Sequence, residues 1–161
     1  MMDMLVKLYE LPDATPYASD LQRAGIVVRR AMVHERHKVA AWVSETFGAK
    51  AAGWVDECTA AFARQPVACH IAVRSGTVVG FACYDTTARG MFGPIGVGES
   101  ARSNGIGRLL LLASLRDMHV VGYAYAVVGH VANTTFFAKA AGAVAIEGST
   151  PGPYPADSAL V

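Results

Sequence analysis

Arg102, Gly105, Gly107 and Arg108 stand where a probable strand ending at Val97 gives way, through a loop of Gly, Ser, Asn and Arg, to an apolar helix entered at Leu109 to Leu112. A helix that starts at about Gly105 leaves its first N–H groups without intrahelical acceptors, and the aligned peptide dipoles add partial positive charge there. Glycine at 105 and 107 allows close backbone approach to phosphate oxygens, and the two arginines supply charge at the rim. Ser103, Asn104 and Ile106 complete the loop. A pyrophosphate is the natural guest. The spacing is neither G-x-G-x-x-G with a following acidic residue nor a loop ending in Gly-Lys-Ser/Thr, so two common phosphate-binding patterns are excluded.

The elements around this loop must hold it open. In Met91 to Val97, Pro94 cannot donate to a ladder and Gly93 and Gly96 weaken it, so the strand is expected to be bulged, bent or splayed from its neighbour. A strand that peels away exposes N–H and C=O groups along a slot, where an extended, amide-bearing ligand can lie like another strand. The helix from Gly107 to about Val121 is apolar nearly all round and should be buried. It leads to a strand over 123–128, parallel to the one before the loop.

The rest of the chain reads in order as follows. Residues 1–24 are expected to be an arm with one short helix, and Ile26 to Met32 the first strand. Two amphipathic helices over 34–47 and 50–64 end at Gly48 and at Gln65-Pro66. Residues 67–74 and 77–84 form a hairpin around Ser75-Gly76. A short helix capped by Asn133 and stopped by Gly142 precedes a strand over 143–147 and an irregular tail over 148–161.

Composition narrows the function. The chain has 161 residues, one domain's worth, and a formal net charge of +1 without a basic run, which disfavours nucleic acid as a partner. It is 53% hydrophobic, yet Arg116, Asp117 and His119 interrupt its most apolar stretch, so no membrane span is expected. Charges in the first ten residues argue against a signal peptide, making a cytoplasmic location the expectation. Cys58, Cys69 and Cys83 lack C-x-x-C spacing, so neither a disulfide framework nor a metal site is expected. The apolar composition suggests a homodimer.

With these elements in place, Arg102-x-x-Gly105-x-Gly107 resembles the acyl-CoA-binding motif of the GNAT acetyltransferase superfamily. Phe136-Phe137-x-Lys139-x-x-Gly142-Ala143 resembles its second signature, with one extra residue before the glycine. The segments Phe92-Gly93-Pro94-x-Gly96-Val97 and Tyr123-x-Tyr125-Ala126 resemble a subgroup of small, mostly uncharacterised bacterial members. The resemblance covers residues 25–147 as the acetyltransferase domain. It implies an α/β (α+β) fold: a mixed, mostly antiparallel sheet flanked by about four helices, splayed at the strands ending near Val97 and Val128. It also implies acetyl-CoA as cosubstrate and a small-molecule amine as acceptor. Ile95, Gly96 and Val97 would hold the pantetheine arm through their backbone. Residues Arg102 to Arg108, with Asn133 and Phe137, would complete the cofactor site.

Transfer to an amine needs a base for the ammonium proton and a donor for the leaving thiolate. His130, just past the strand end, is the preferred base because imidazole titrates near neutrality. Glu99 and Asp85 are candidates to bind an ammonium. Family members commonly use a tyrosine as acid at the second position of the aromatic pair, where this chain has Phe137, which has no proton to give. Three explanations stand: another donor such as Tyr84, Tyr125 or Tyr154 enters the site, the thiolate leaves with solvent and backbone help, or the protein binds acyl-CoA without fast turnover. The last would make it a catalytically weak acyl-CoA sensor or a protein-interaction module.

Overall fold

The computed structural model describes residues 1–154. Among these residues, seven strands form a single sheet in the order β2-β3-β4-β5-β6-β1-β7. They are β1 (Met2–Lys7), β2 (Ile26–Arg30), β3 (Cys69–Arg74), β4 (Thr77–Tyr84), β5 (Met91–Val97), β6 (Tyr125–Val131) and β7 (Val144–Ala145). Every pairing is antiparallel except β5 with β6. Five α-helices among the described residues flank the sheet: α1 (Thr15–Arg23), α2 (Arg36–Phe47), α3 (Ala52–Phe62), α4 (Ile106–Val120) and α5 (Thr134–Ala141). The mixed, mostly antiparallel sheet matches the expectation, with one helix more than the four anticipated.

The alternation of β4 divides the core into two layers. Gly80 faces Ile106 and Leu110 of α4, where a Cβ would come within 3.0 Å of Leu110 Cδ1. Phe81 faces the other way, into a cluster with Trp42, Phe47 and Trp54 from α2 and α3. The tryptophans are therefore core-facing aromatics, as residues at helical spacing usually are. The three cysteines lie on this second face, with Cys69 and Cys83 in register. All three sulfurs are buried within 4.8 Å of one another. The sequence spacing offered no reason to group them, because β-pairing supplies the proximity. Burial pushes the Cys83 thiol well above its ordinary value.

The N-terminal residues depart from the expected arm. Met2–Lys7 lies between β6 and β7 and pairs with both. Met4, Val6 and Leu8 are buried, so this segment uses both backbone edges and its apolar side chains inside the sheet. Its pattern was hard to read because Asp3, although charged, is also buried. The expected strand over 143–147 is reduced to Val144–Ala145, and residues 155–161 of the expected tail lie outside the described residues.

Candidate active site

The parallel contact between β5 and β6 is short. Met91 pairs with Val127 and Phe92 with Val128; beyond them the strands part. Each is bulged at that point. In β5, Gly93 and Pro94 occupy the interval that β4 spans with Cys83 alone, between the pairs Tyr84–Phe92 and Ala82–Ile95. In β6, Gly129 and His130 stand opposite the single residue Asp3, between the pairs Met4–Val128 and Met2–Val131. A bulge bends its strand and locally ends pairing, so two bulges facing one gap hold it open. The expected splay of β5 is present, with a matching irregularity in β6 that depends on β1.

Along the open edge, the backbone of β5 alternates. Gly98 donates its N–H to Val79 O at 2.9 Å, and residues two apart in a strand point the same way. Gly96 is thus committed to Phe81 in β4, whereas Ile95 and Val97 direct their N–H and C=O groups into the split. Gly96 is glycine for another reason: a Cβ there would meet Phe47 Cζ at 2.4 Å. Of the three backbone candidates, Gly96 is therefore corrected to a packing residue. The Val97 carbonyl already accepts from Arg102 Nε at 3.2 Å, a bond that holds Arg102 beside the mouth of the split.

At that mouth, Arg102, Ser103, Asn104 and Gly105 are exposed. Gly105 has φ +81° and, among the described residues, no side chain caps α4; the first helical bond there is Leu109 N to Gly105 O at 3.1 Å. The N–H groups of Ile106, Gly107 and Arg108 consequently point out of the helix end without intrahelical acceptors. Asn104 Nδ2 donates to Ala101 O at 3.4 Å. Gly107 leaves room for Phe136 of α5, 3.5 Å from where its Cβ would stand. Arg108 lies over the Tyr17 ring, 4.9 Å from its centroid. This loop fits an anionic group: it is exposed, lacks a cap and carries two guanidinium groups.

Asn133 and Phe137 act one layer away. Asn133 Oδ1 accepts from Phe136 N at 3.0 Å, capping α5. Phe137 is buried edge-on against Phe92 at a centroid distance of 6.3 Å, supporting the apex of the split from the α5 side.

The three proposed catalytic residues do not come together. Tyr125 begins β6, on the paired side of the apex, and its hydroxyl meets the Tyr9 hydroxyl at 3.1 Å. Glu99 lies in the turn after β5, beside a cavity lined by Trp42, Thr46, Arg74 and Val79. It lies past the end of β5, seven residues from Phe92 at the apex, a span of at most roughly 23 Å if fully extended. Only His130 sits at the split, with φ +52° in the β6 bulge. Its N–H donates to Asp3 Oδ1 at 2.9 Å and its ring packs edge-on against Tyr154 at 5.7 Å.

The alternative proton donors separate equally clearly. Tyr84 is buried on the α4 face and accepts from Arg30 at 2.9 Å. Tyr154 reaches the apex, with its hydroxyl 3.3 Å from where a Cβ on Gly129 would stand. Burial, followed by the carboxylates of Glu57 and Asp3, raises the Tyr154 pKa above its ordinary value, so its phenol keeps its proton through neutral pH. Asp85, a candidate ammonium ligand, is occupied: it accepts from Gly90 N at 2.7 Å, Tyr123 Oη at 3.1 Å and Arg64 at 3.4 Å.

His70 and Cys69 point to opposite faces, as adjacent strand residues must. His70 Nδ1 instead meets Ser114 Oγ at 3.2 Å, and its Nε2 lies 3.1 Å from Asp117 Oδ2. The order resembles a nucleophile, base and carboxylate relay. Ser114 is fully buried, so the array ties α4 to β3 and offers no attack path.

The family model described as "Acetyltransferase (GNAT) family" matches residues 31–142, the segment that contains the split, the loop and α5. The chain belongs to that family. No curated protein matches it. Among solved GNAT structures, a glucosamine N-acetyltransferase region of a fungal multi-domain β-N-acetylglucosaminidase superposes with a TM-score of 0.72 at 12% identity. That match covers 90% of this chain and 19% of the fungal chain. A GCN5-related N-acetyltransferase from Sphaerobacter thermophilus gives a TM-score of 0.69 at 20% identity, over 90% of this chain and 48% of that one. A GNAT acetyltransferase from Brucella melitensis, solved with acetyl-CoA, gives 0.52 at 18% identity, over 70% and 80%. At these identities the likeness is one of fold. The chain spans less than half the length of the first two.

The residues that sequence reasoning missed are Asp3 and the β6 bulge. The one signal was a carboxylate inside the apolar run Met2-Asp3-Met4-Leu5-Val6.

Proposed function

We propose that this GNAT chain is an N-acetyltransferase that moves the acetyl group of acetyl-CoA directly to the amine of a small molecule while both are bound. The observation that carries the reading is the split between the β5 and β6 bulges, with the uncapped start of α4 at its mouth and His130 and Tyr154 at its apex. Acetyl-CoA supplies an acetyl group activated as a thioester. Ile95 and Val97 would receive the amide-bearing arm through their backbone. The N–H groups of Gly105 to Arg108, with the Arg102 and Arg108 guanidinium groups, would receive the pyrophosphate.

His130 is the base in this reading and Tyr154 the acid that Phe137 cannot be. The amine nitrogen bonds to the acetyl carbon as the carbon–sulfur bond breaks, its electron pair leaving on sulfur. Tyr154 protonates that sulfur. The nitrogen gives up two protons: His130 passes one to water, and the other restores the Tyr154 phenol. The products are an amide, a thiol and one released proton.

The test is calorimetric titration with acetyl-CoA and free CoA, followed by thiol release over a panel of amines. Binding with amine-dependent release is expected. Binding without transfer would leave the catalytically weak sensor, and no binding would overturn the site. We read the apolar composition as favouring a homodimer, with sedimentation equilibrium as its check.

A further inference from the structure

A cavity of about 430 Å³ opens beside the apex of the split, lined by Asp3, Ala88, Arg89, Met91 and Val127 and walled by the segment from Gly148 to Pro153. Its volume lies in the range of small-ligand pockets. Met91 and Val127 are register partners in the short parallel ladder, so the cavity shares its floor with the apex. They lie on the face opposite to Phe92 and Phe137.

Asp3 is the polar feature of this cavity. It is 6% exposed, and Oδ1 accepts the His130 N–H. Among the described residues, Oδ2 accepts no hydrogen bond and Asp3 joins no ion pair. Every fully occluded side-chain nitrogen or oxygen among those residues has a partner. Oδ2, which lacks one, is therefore open to the cavity that Asp3 lines. A nearly buried carboxylate oxygen without a protein partner favours a cationic donor, since burial of unpaired charge is costly.

We infer that this cavity is the acceptor site and that Asp3 binds the ammonium group of a short primary amine there. The inference rests on the acetyl-transfer reading for its chemical sense. A nitrogen held at Asp3 lies next to the His130 backbone N–H that Asp3 accepts and close to Gly129, over which both Asp3 Oδ1 and the Tyr154 hydroxyl stand. Asp3 therefore brings the amine to the same β6 bulge that carries His130 and is covered by Tyr154.

The experiment is a titration of the full chain with n-butylamine, and separately with n-butanol as its neutral isostere, followed by amide shifts in NMR. Saturable shifts at Asp3, Gly129 and His130 with the amine, and none there with the alcohol, are expected. In Asp3→Asn, which keeps an oxygen to accept the His130 N–H, amine affinity should fall at least tenfold, with acetyl-CoA affinity by calorimetry within twofold of the original. Equal responses to amine and alcohol, or undiminished amine binding in Asp3→Asn, overturn the inference; the first comparison needs no variant to fold. Acetyl-CoA binding with no amine response at these amides overturns this inference alone. Asp3-dependent amine binding without acetyl-CoA binding supports the amine site and overturns the transfer reading.

Discussion

His130 donates its backbone N–H to Asp3 Oδ1 at 2.9 Å across 127 residues of sequence. That bond gives an acceptor to a backbone group in the β6 bulge, where pairing with β1 is interrupted. Through it, the first strand of the chain helps hold the split beside which His130 and Tyr154 meet.

Tyr154→Phe should lower kcat by about 10²-fold, the low end for loss of a general acid, with the KM for acetyl-CoA unchanged. Because burial and the Glu57 and Asp3 carboxylates raise this phenol's pKa above its ordinary value, the original protein should keep the acid through neutral pH and lose rate in the alkaline range as the phenol deprotonates. The variant's residual rate should lack that alkaline fall. A pH profile of kcat for both proteins checks this.

Arg102→Ala combined with Gly105→Ala should weaken acetyl-CoA binding at least tenfold by calorimetry. Gly105 sits at φ +81°, where a Cβ costs about 1–2 kcal/mol. Gly105→Ala alone should therefore also lower Tm by about 2–8 °C, at about 2–4 °C per kcal/mol for a chain of this size. Arg102→Ala alone should weaken binding while leaving Tm nearly unchanged.

Gly96→Ala should destabilise the fold by about 1–3 kcal/mol, the usual cost of overpacking. Its Cβ would strike Phe47 at 2.4 Å, and that ring is confined between Trp42, Trp54 and Phe81. Urea unfolding measures the loss. A variant as stable as the original would show that the aromatic cluster yields more readily than its packing implies.

Glu35 links acid stability to β2. Its carboxyl is held down to about 2 by hydrogen bonds from Arg29 at 2.6 and 2.9 Å and from Met32 N at 2.7 Å. A depressed carboxyl pKa stabilises the folded state above the ordinary value near 4.5, and that contribution disappears as pH falls through about 2. Glu35→Gln should therefore be less stable than the original at neutral pH and converge with it in strong acid. Urea midpoints across that interval check the sign.

Much of the frame was legible locally. The hairpin around Ser75-Gly76, the bulged strand at Gly93 and Pro94, the buried α4 and the Asn133 cap all follow from residues within one or two turns of each other. The candidate site was legible only at its anion-binding end, because a helix N-terminus and its glycines form one continuous run. Tyr125 stood as an alternative donor in the strand over 123–128, and no local signal says which end of that strand opens. Glu99 was misplaced because nearness in sequence to the loop carried no information about distance to the apex.

The sequence by itself determined a mixed sheet, a strand that must part from its neighbour, and an exposed, uncapped helix start rimmed by arginines. These are consequences of backbone chemistry: proline and glycine weaken a ladder, and the start of a helix leaves donors unpaired. Only the tertiary structure decided which side chains meet at the apex. Asp3 arrives there because Met2–Lys7 pairs with β6, and Tyr154 because the chain after β7 returns over Gly129. Strand order and bulge register are set by packing across the whole sheet, so contacts between residues 3, 130 and 154 have no counterpart in any short stretch of the chain.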